Sequence, residues 1–394
     1  MNDKAVKELF LVNPNSERQL EQLLSILLSD ETLHGIDFQE YELWRIAEKW
    51  IKARELLPES APQLSALQKA LSSSLITKAD VTQKGTQLKL LLHLSGGQLV
   101  FFKPKRYEID HIVRGPPYAG LDRHNGEIAA FQLSRLLGMR YAPVATGRRL
   151  HIENEIKPVA TERLLRTFLK SNESNVACRK KLNASVFSNC FYGQCYYCSP
   201  QKCVCPDYNG YLEGSIILLL PERLVLHQYR NPWQRTYKHN VVATWEQDPY
   251  FCFNTAMNNL EMEPRILDLI DISVFDYLIG NADRHHYEVF KEFKDSAVLL
   301  FDNGKSFGNA YWDEFTILAP LYQCCVIRKS TYERLLLFAS TRKGLSGALY
   351  DLLSTYEQNP ILSDANFDAI NRRLQTVISL VNVCINSTNK VLIR

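Results

Sequence analysis

Two acidic loop sites stand out in this 394-residue sequence: Asp283, in Asp283-Arg284-His285-His286, and Asp302, in Asp302-Asn303-Gly304, 19 positions later. The first follows a long apolar helical stretch and the second closes a short apolar run. A helix, loop, strand, loop unit of that kind brings both carboxylates to one end of a sheet. Phosphoryl transfer needs such a pair. One carboxylate orients or deprotonates the attacking hydroxyl, and the other holds a metal ion that screens the phosphate oxygens. Taken singly, an Asp-Arg pair or an Asp-Asn-Gly turn is ordinary loop chemistry.

The upstream half of the chain shifts the balance. Lys103 ends an apolar strand, and Glu127 lies on the following helix, about one turn in from Asp122. A strand lysine held by a helix glutamate is how kinases set a point charge against nucleotide phosphates. A surface salt bridge is the usual explanation for such residues, and it contributes little. Here the pair stands in the chain order Lys, Glu, catalytic Asp, metal Asp, and that order carries the reading. His285 and His286 could serve as bases or metal ligands; the favoured reading makes them packing and hydrogen-bonding residues that hold Asp283 in place. Trp233, Trp312 and Tyr322 are the aromatic side chains that could form a platform for a sugar, and each has an equal claim to be core or surface packing.

Those residues need particular elements around them. Helical spacing over residues 17–71 predicts a helical N-terminal segment. Two apolar runs, LKLLLHL and QLVFF, flank Ser95-Gly96-Gly97 and predict a hairpin where the chain enters a sheet. Residues 106–121, rich in Gly and Pro, read as a loop; Asp122 is then placed to cap a helix that ends at Gly138. A strand near 144–150, a cysteine-rich insert over 190–205 and a buried strand, GSIILLLP, stopped by Pro221, follow. Residues 216–220 are positioned to line a base pocket at a lobe junction. A helix over 265–279, a short strand AVLLF and helices from about 330 to 383 complete the chain. The domain reading is a helical segment over 1–80, a sheet-based lobe over 81–215 and a helical lobe over 216–394.

Composition sets limits on partners and compartment. Lys plus Arg exceed Asp plus Glu by only 46 to 43, so no nucleic-acid-binding field is expected. No stretch has the roughly 20 consecutive apolar residues of a membrane span, and the first ten residues lack a signal-peptide core. Ten cysteines, five of them between Cys190 and Cys205, nevertheless argue for an oxidising compartment unless they bind metal. Cys195-x-x-Cys198 with Cys203-x-Cys205 could supply zinc thiolates, although the second pair is too closely spaced for a usual knuckle. Acceptor sequons at Asn172, Asn183 and Asn386 fit a glycosylating lumen. The expectation is that any signal or membrane anchor lies outside these residues.

The segments FFKPKR, DRHNGEIAAFQLSRLLG, CFYGQCYYC, RNPWQRTY, GNADRHHYE, DNGKSFGN and ILAPLYQCC resemble the secreted Golgi kinase family that contains the Golgi casein kinase and four-jointed. They span about residues 103–384. Ala282, the segment 305–309 and Tyr322 resemble the sugar-phosphorylating branch more than the casein-kinase branch. The resemblance implies an α+β, atypical two-lobed protein-kinase-like fold stapled by disulfides, working in the Golgi lumen with ATP and Mn²⁺ or Mg²⁺. It implies transfer to the 2-hydroxyl of xylose in the Gal-Xyl-Ser linkage glycan of proteoglycans. The alternatives are a secreted protein Ser kinase and an inactive pseudokinase that activates a partner; a homo- or heterodimer of family members is also compatible.

Carried over by residue, the resemblance assigns Lys103 to phosphate, Glu127 to its ion-pair partner, Asp283 to catalysis and Asp302 to metal. Lys89, on the preceding strand, becomes a second phosphate contact. Asp122 falls where protein-kinase relatives use Glu, which makes it a metal candidate. Glu288 takes the place of the metal-binding Asn five positions beyond the catalytic Asp; pairing with Arg284 or a histidine is favoured over metal ligation there. There is no G-x-G-x-x-G loop, and Gly96-Gly97 is a weak substitute. The implied disulfides are Cys190–Cys205, Cys195–Cys198, Cys252–Cys324 and Cys325–Cys384, with Cys178 and Cys203 left over and able to pair.

Overall fold

The computed structural model describes residues 11–32, 39–82, 85–169, 188–238, 240–258 and 265–388. Three N-terminal helices form as the apolar spacing predicts: α1 (Pro14–Thr32), α2 (Glu40–Trp50) and α3 (Leu64–Ser73). The sheet then starts earlier than the hairpin signature suggests. A strand β1 (Ile76–Val81) precedes β2 (Leu90–Leu94) and β3 (Leu99–Pro104), paired antiparallel in that order. The boundary drawn at residue 80 therefore falls inside a strand. Thr77 and Lys78 are both exposed while the next three residues are buried, so β1 lacks the alternation that would reveal it.

Gly96 and Gly97 do turn the β2–β3 hairpin, at φ 74° and 89°, a conformation that glycine adopts without strain. That turn faces α2, where the Trp44 indole donates to Ser95 O at 3.0 Å. It lies at the opposite end of β3 from Lys103 and cannot cover phosphates bound there. The connection at the Lys103 end is 82–89, between β1 and β2, which holds Gly85 at φ 78°. Two further strands, β4 (Ala145–His151) and β5 (Tyr211–Leu218), complete a five-stranded sheet in the order β1-β2-β3-β5-β4.

Between β3 and β4 runs α4 (His124–Leu136), and its N-cap is Arg123 with no side-chain cap bond. Asp122 is not the cap because its carboxylate is turned onto Lys103 instead. All of α4 except Asn125 is buried. Phe131 joins the core under the sheet with Leu90, Leu92, Val100, Phe102 and Ile216, whereas Ile128, Leu133 and Leu136 join the core of the helical lobe. One helix is thus wedged between two apolar cores, and the lobes cannot separate without exposing it.

The helical lobe is organised around α5 (Ile266–Ile279), buried along nearly its whole length and ended by Gly280 at φ 68°. Strands β6 (Leu226–Arg230) and β7 (His286–Phe290) pair antiparallel beside it, and α6 (Lys329–Ala339), α7 (Gly344–Leu353) and α8 (Asp364–Thr388) close the lobe. The expected AVLLF strand makes a single bridge, Leu299 to Glu288.

Four disulfides are formed: Cys190–Cys205, Cys195–Cys198, Cys252–Cys324 and Cys325–Cys384. Cys203 is disulfide-bonded as well. These sulfurs are therefore not zinc ligands. Asn386 is exposed near the end of α8; Cys178, Asn172 and Asn183 lie outside the described residues. Among the described residues no helix is long and apolar enough to cross a membrane.

Candidate active site

Lys103 is the hub of the site. Its Nζ donates to Glu127 Oε1 and Asp302 Oδ1, both at 2.6 Å, and to Asp122 Oδ2 at 3.0 Å. Each partner comes from a different element: Asp122 just before α4, Glu127 in its first turn, and Asp302 from the loop after the extended segment 297–301. Burial alone would depress the lysine, but Asp122, Asp302 and Glu127 outweigh it and hold its pKa well above the usual value. The Lys103 ammonium in turn holds Asp302 well below the ordinary carboxylate range, with Lys89 adding to the effect. Asp302 sits at φ 56°, the left-handed region that Asp tolerates better than most residues.

Glycines let the two halves of this cluster interlock. A Cβ on Gly304 would stand 2.6 Å from Asp122 Cγ, and one on Gly126 would stand 2.8 Å from Asn303 O. The backbone N–H of Asn303 donates to Glu127 Oε1 at 3.0 Å, and Arg123 Nε reaches Ser306 O at 2.6 Å. The DRHNGE and DNGKSFG segments therefore close on each other as one unit.

Lys89 stands on the same face of the hairpin as Lys103. Its Nζ lies 5.1 Å from the Phe101 ring and 2.7 Å from where a Gly85 Cβ would be. Burial and then the Lys103 charge push its pKa down. Two ammonium groups held close together, one of them poorly neutralised, suit a polyanion such as a nucleotide phosphate tail. Farther along the sheet, Leu99 and residues 218–222 line a cavity of about 630 Å³ floored by α2 residues Trp44 and Ala47. Lys103 is not part of its lining.

On the other side, α5 delivers Asp283. Gly280 ends the helix, Asn281 Oδ1 accepts from the Asp283 N–H at 3.1 Å, and His285 Nδ1 lies 2.8 Å from Asp283 O. Hydrogen bonding to Asp283 raises the His285 pKa, so this histidine braces the aspartate. His286 begins β7 with its ring edge-on to His285. Arg284, offered from the sequence as a partner for Glu288, pairs elsewhere. It forks onto Asp276 at 2.8 and 2.9 Å, reaches Asn303 Oδ1 at 2.8 Å, and also bonds Phe301 O. One buried guanidinium therefore ties the Asp283 loop to the Asp302 loop. Spacing could not reveal it, because Asp276 lies one helix earlier and Asn303 one loop later.

Sequence reasoning overlooked two residues. The Tyr237 hydroxyl donates to Asp283 Oδ1, and Lys305 Nζ donates to Gly120 O. Burial lowers the Lys305 pKa, against the pull of Asp122 and Asp283. Of the three aromatic candidates, Trp312 is 51% exposed and lines a small cavity with Lys305 and Arg123, and Tyr322 stacks on Phe315 with ring centroids 5.6 Å apart. Trp233 is instead in the helical core, its indole donating to Gln323 Oε1 at 2.7 Å. Glu288 is on β7 and accepts from Gln228 Nε2 at 2.8 Å; the structure does not bring it onto Asp122 or Asp302.

Mn²⁺ or Mg²⁺ suits the donors present. Asp302 is a hard oxygen donor with 62% of its side chain exposed, and Asp122 meets it on the same ammonium. Among the described residues no three acidic, His or Cys side chains surround a common cation point. A cation here would complete its shell with phosphate oxygens and water, as Mg²⁺ commonly does.

The comparisons with known proteins agree with this geometry. The family model described as "Golgi casein kinase, C-terminal, Fam20" matches residues 42–391. A human protein named glycosaminoglycan xylosylkinase is 48% identical over 344 residues, 86% of this chain and 80% of its own length. A hydra Fam20 structure solved with sugar superposes with a TM-score of 0.81 at 41% identity, covering 90% of this chain and 97% of that one. The Golgi casein kinase solved with Mn/ADP bound also gives 0.81, at 31% identity, covering 97% and 93%. The chain belongs to the Fam20 family of kinases.

Proposed function

We propose that this protein transfers the γ-phosphate of ATP to the 2-hydroxyl of xylose in the Gal-Xyl linkage region of proteoglycans, in the Golgi lumen. One observation carries the catalytic part: a lysine is clamped by Glu127 and Asp302, and Arg284 ties the Asp302 loop to that of a separate aspartate, Asp283, whose Oδ1 already accepts an O–H donor. The name of the 48% identical human relative and the sugar in the hydra structure support the choice of acceptor.

In this reading Lys103 and Lys89 hold the phosphate tail, and Glu127 keeps Lys103 in place. Asp302, with Asp122, would hold Mn²⁺ or Mg²⁺, which when bound neutralises charge on the phosphate oxygens. The Mn/ADP complex of the Golgi casein kinase supports that pairing of nucleotide and metal. Asp283 takes the proton of the acceptor hydroxyl as its oxygen attacks the γ-phosphorus. The bond to the β,γ-bridging oxygen breaks, and ADP leaves. Trp312, beside Lys305, and Tyr322, stacked on Phe315, are the aromatic side chains offered to the glycan in this reading.

The test is phosphate transfer from labelled ATP to a synthetic Gal-Xyl glycoside with Mn²⁺, with casein as parallel acceptor and Asp302→Ala as control. Label on the glycoside alone is expected. Label on casein alone would make it a protein kinase, and label on neither would make it a pseudokinase.

A further inference from the structure

The Tyr237 phenol occupies one of the acceptor positions of the Asp283 carboxylate. A general base must accept the hydrogen of the attacking hydroxyl, and here Oδ1 of Asp283 accepts the phenolic O–H instead. The hydroxyl also lies 3.3 Å from His285 Nδ1, and the ring stands edge-on to Tyr118 with centroids 4.6 Å apart. Burial and Asp283 push the phenol's pKa up, so it remains a proton donor. The residue is nonetheless 46% exposed, in an irregular stretch between β6 and a short helix at Thr244–Gln247. That stretch is pinned ahead of the tyrosine, and the short helix after it is tied back to the same part. Asn231 Nδ2 donates to Arg284 O at 2.8 Å, and Trp245 Nε1 donates to Gln234 O at 2.9 Å. The phenol can therefore swing aside while the segment stays docked beside Asp283.

We propose that Tyr237 is an acceptor gate: it masks Asp283 until a sugar hydroxyl displaces it, and so keeps water from being phosphorylated in the acceptor's place. The physical basis is a difference in what the two competitors offer. Water brings one hydrogen bond to Asp283 and nothing else to offset the loss of the charge-assisted phenol bond and the Tyr118 contact. A glycan brings the same bond together with contacts to the aromatic side chains, so only the glycan opens the gate. In the reaction that the gate suppresses, a water oxygen attacks the γ-phosphorus and its proton passes to Asp283. The β,γ-bridging bond breaks, leaving ADP and inorganic phosphate.

This inference rests on the phosphotransferase reading and deepens it. Its test is the acceptor-free hydrolysis of ATP with Mn²⁺, measured beside transfer to the Gal-Xyl glycoside for the wild-type protein, Tyr237→Phe, Asp283→Ala and the double variant. Phe keeps the ring and its Tyr118 contact. The expected result is a rise in acceptor-free hydrolysis on the order of 10-fold in Tyr237→Phe, the scale of one lost hydrogen bond to a charged group. The double variant should hydrolyse no faster than Asp283→Ala, because the effect passes through the aspartate. Hydrolysis unchanged in Tyr237→Phe, or falling in step with transfer, would overturn the gate and leave Tyr237 as a brace for Asp283. A wild-type protein that hydrolyses ATP but labels no glycoside would end the sugar-acceptor reading, while the hydrolysis ratio would still decide the gate. A matching melting temperature for Tyr237→Phe excludes misfolding as the cause.

Discussion

The surroundings of Lys103 and of Asp283 are built differently, although Arg284 joins them. Around Lys103 all the side chains but that of Asp302 are enclosed: Lys103 and Glu127 are each 5% exposed and Asp122 8%, and glycines allow backbone to close against carboxylate. Around Asp283 the neighbours are open: Tyr237 is 46% exposed and the His285 side chain 43%. The enclosed region holds groups that every phosphoryl donor presents, charged oxygens in a fixed geometry, and preorganisation suits it. The open region must admit a bulky acceptor and release it phosphorylated, so its side chains keep room to move.

The sharpest way to separate the two regions is Asp283→Ala. Transfer should fall by about 10²- to 10⁴-fold, the usual contribution of a general base. Binding of ADP with Mn²⁺, followed by titration calorimetry, should persist. Equal loss of both would mean that the two regions are one. Lys103→Met attacks the enclosed side and strands Asp122 and Glu127 as buried carboxylates. Thermal or denaturant unfolding should register a cost of about 3 to 5 kcal/mol, and nucleotide binding should be lost with it. A stable variant that still binds ADP would refute the clamp.

A subtler probe is the paired change Cys195→Ser and Cys198→Ser. Tyr197 N–H donates to Thr86 O at 3.1 Å, and a Cβ on Gly193 would stand 2.2 Å from Leu88 Cδ1. The cysteine-rich insert thus leans on the loop that ends in Lys89. A bridge spanning only 3 residues constrains little of the unfolded chain. The expected outcome is a nearly unchanged melting temperature with KM for ATP raised about 2- to 10-fold, the scale of one neutral hydrogen bond. An unchanged KM would limit the insert to scaffolding.

The smallest effect concerns His285. Its folded pKa is raised by Asp283, so its contribution to stability is complete below about pH 6.5 and is lost as the pH rises through the raised value. The melting-temperature gap between the wild-type protein and His285→Gln should therefore be larger near about pH 6 than near about pH 9. A gap that widens at alkaline pH would show that the imidazole is not an acceptor's partner to Asp283 but a neutral packing group.

Much of this architecture is legible in the amino-acid sequence. Apolar spacing and flanking glycines reveal α4, α5 and the β2–β3 hairpin, because those elements are stabilised by their own periodicity. The ordered set Lys103, Glu127, Asp283 and Asp302 can be read for a similar reason: each residue sits at the end of a recognisable element, where polar groups converge. Local reading fails where a side chain answers to something distant. Asp122 has the type and position of a helix cap, yet Lys103 takes its carboxylate. Gly96-Gly97 has the composition of a phosphate loop, yet strand order puts 82–89 at the Lys103 end. Trp233 and Trp312 look alike as sugar platforms in sequence, and only packing separates the one in the core from the one at the surface.

The sequence by itself determines which chemical groups are present, in what order, and on which kinds of element, since these follow from short-range backbone preferences and apolar periodicity. The tertiary structure alone decides which of those groups meet. Tyr237 reaches Asp283 across 46 positions, and Lys103 reaches Asp302 across 199. Such encounters depend on how α4 packs between two cores and α5 within one of them, and no local preference encodes the result.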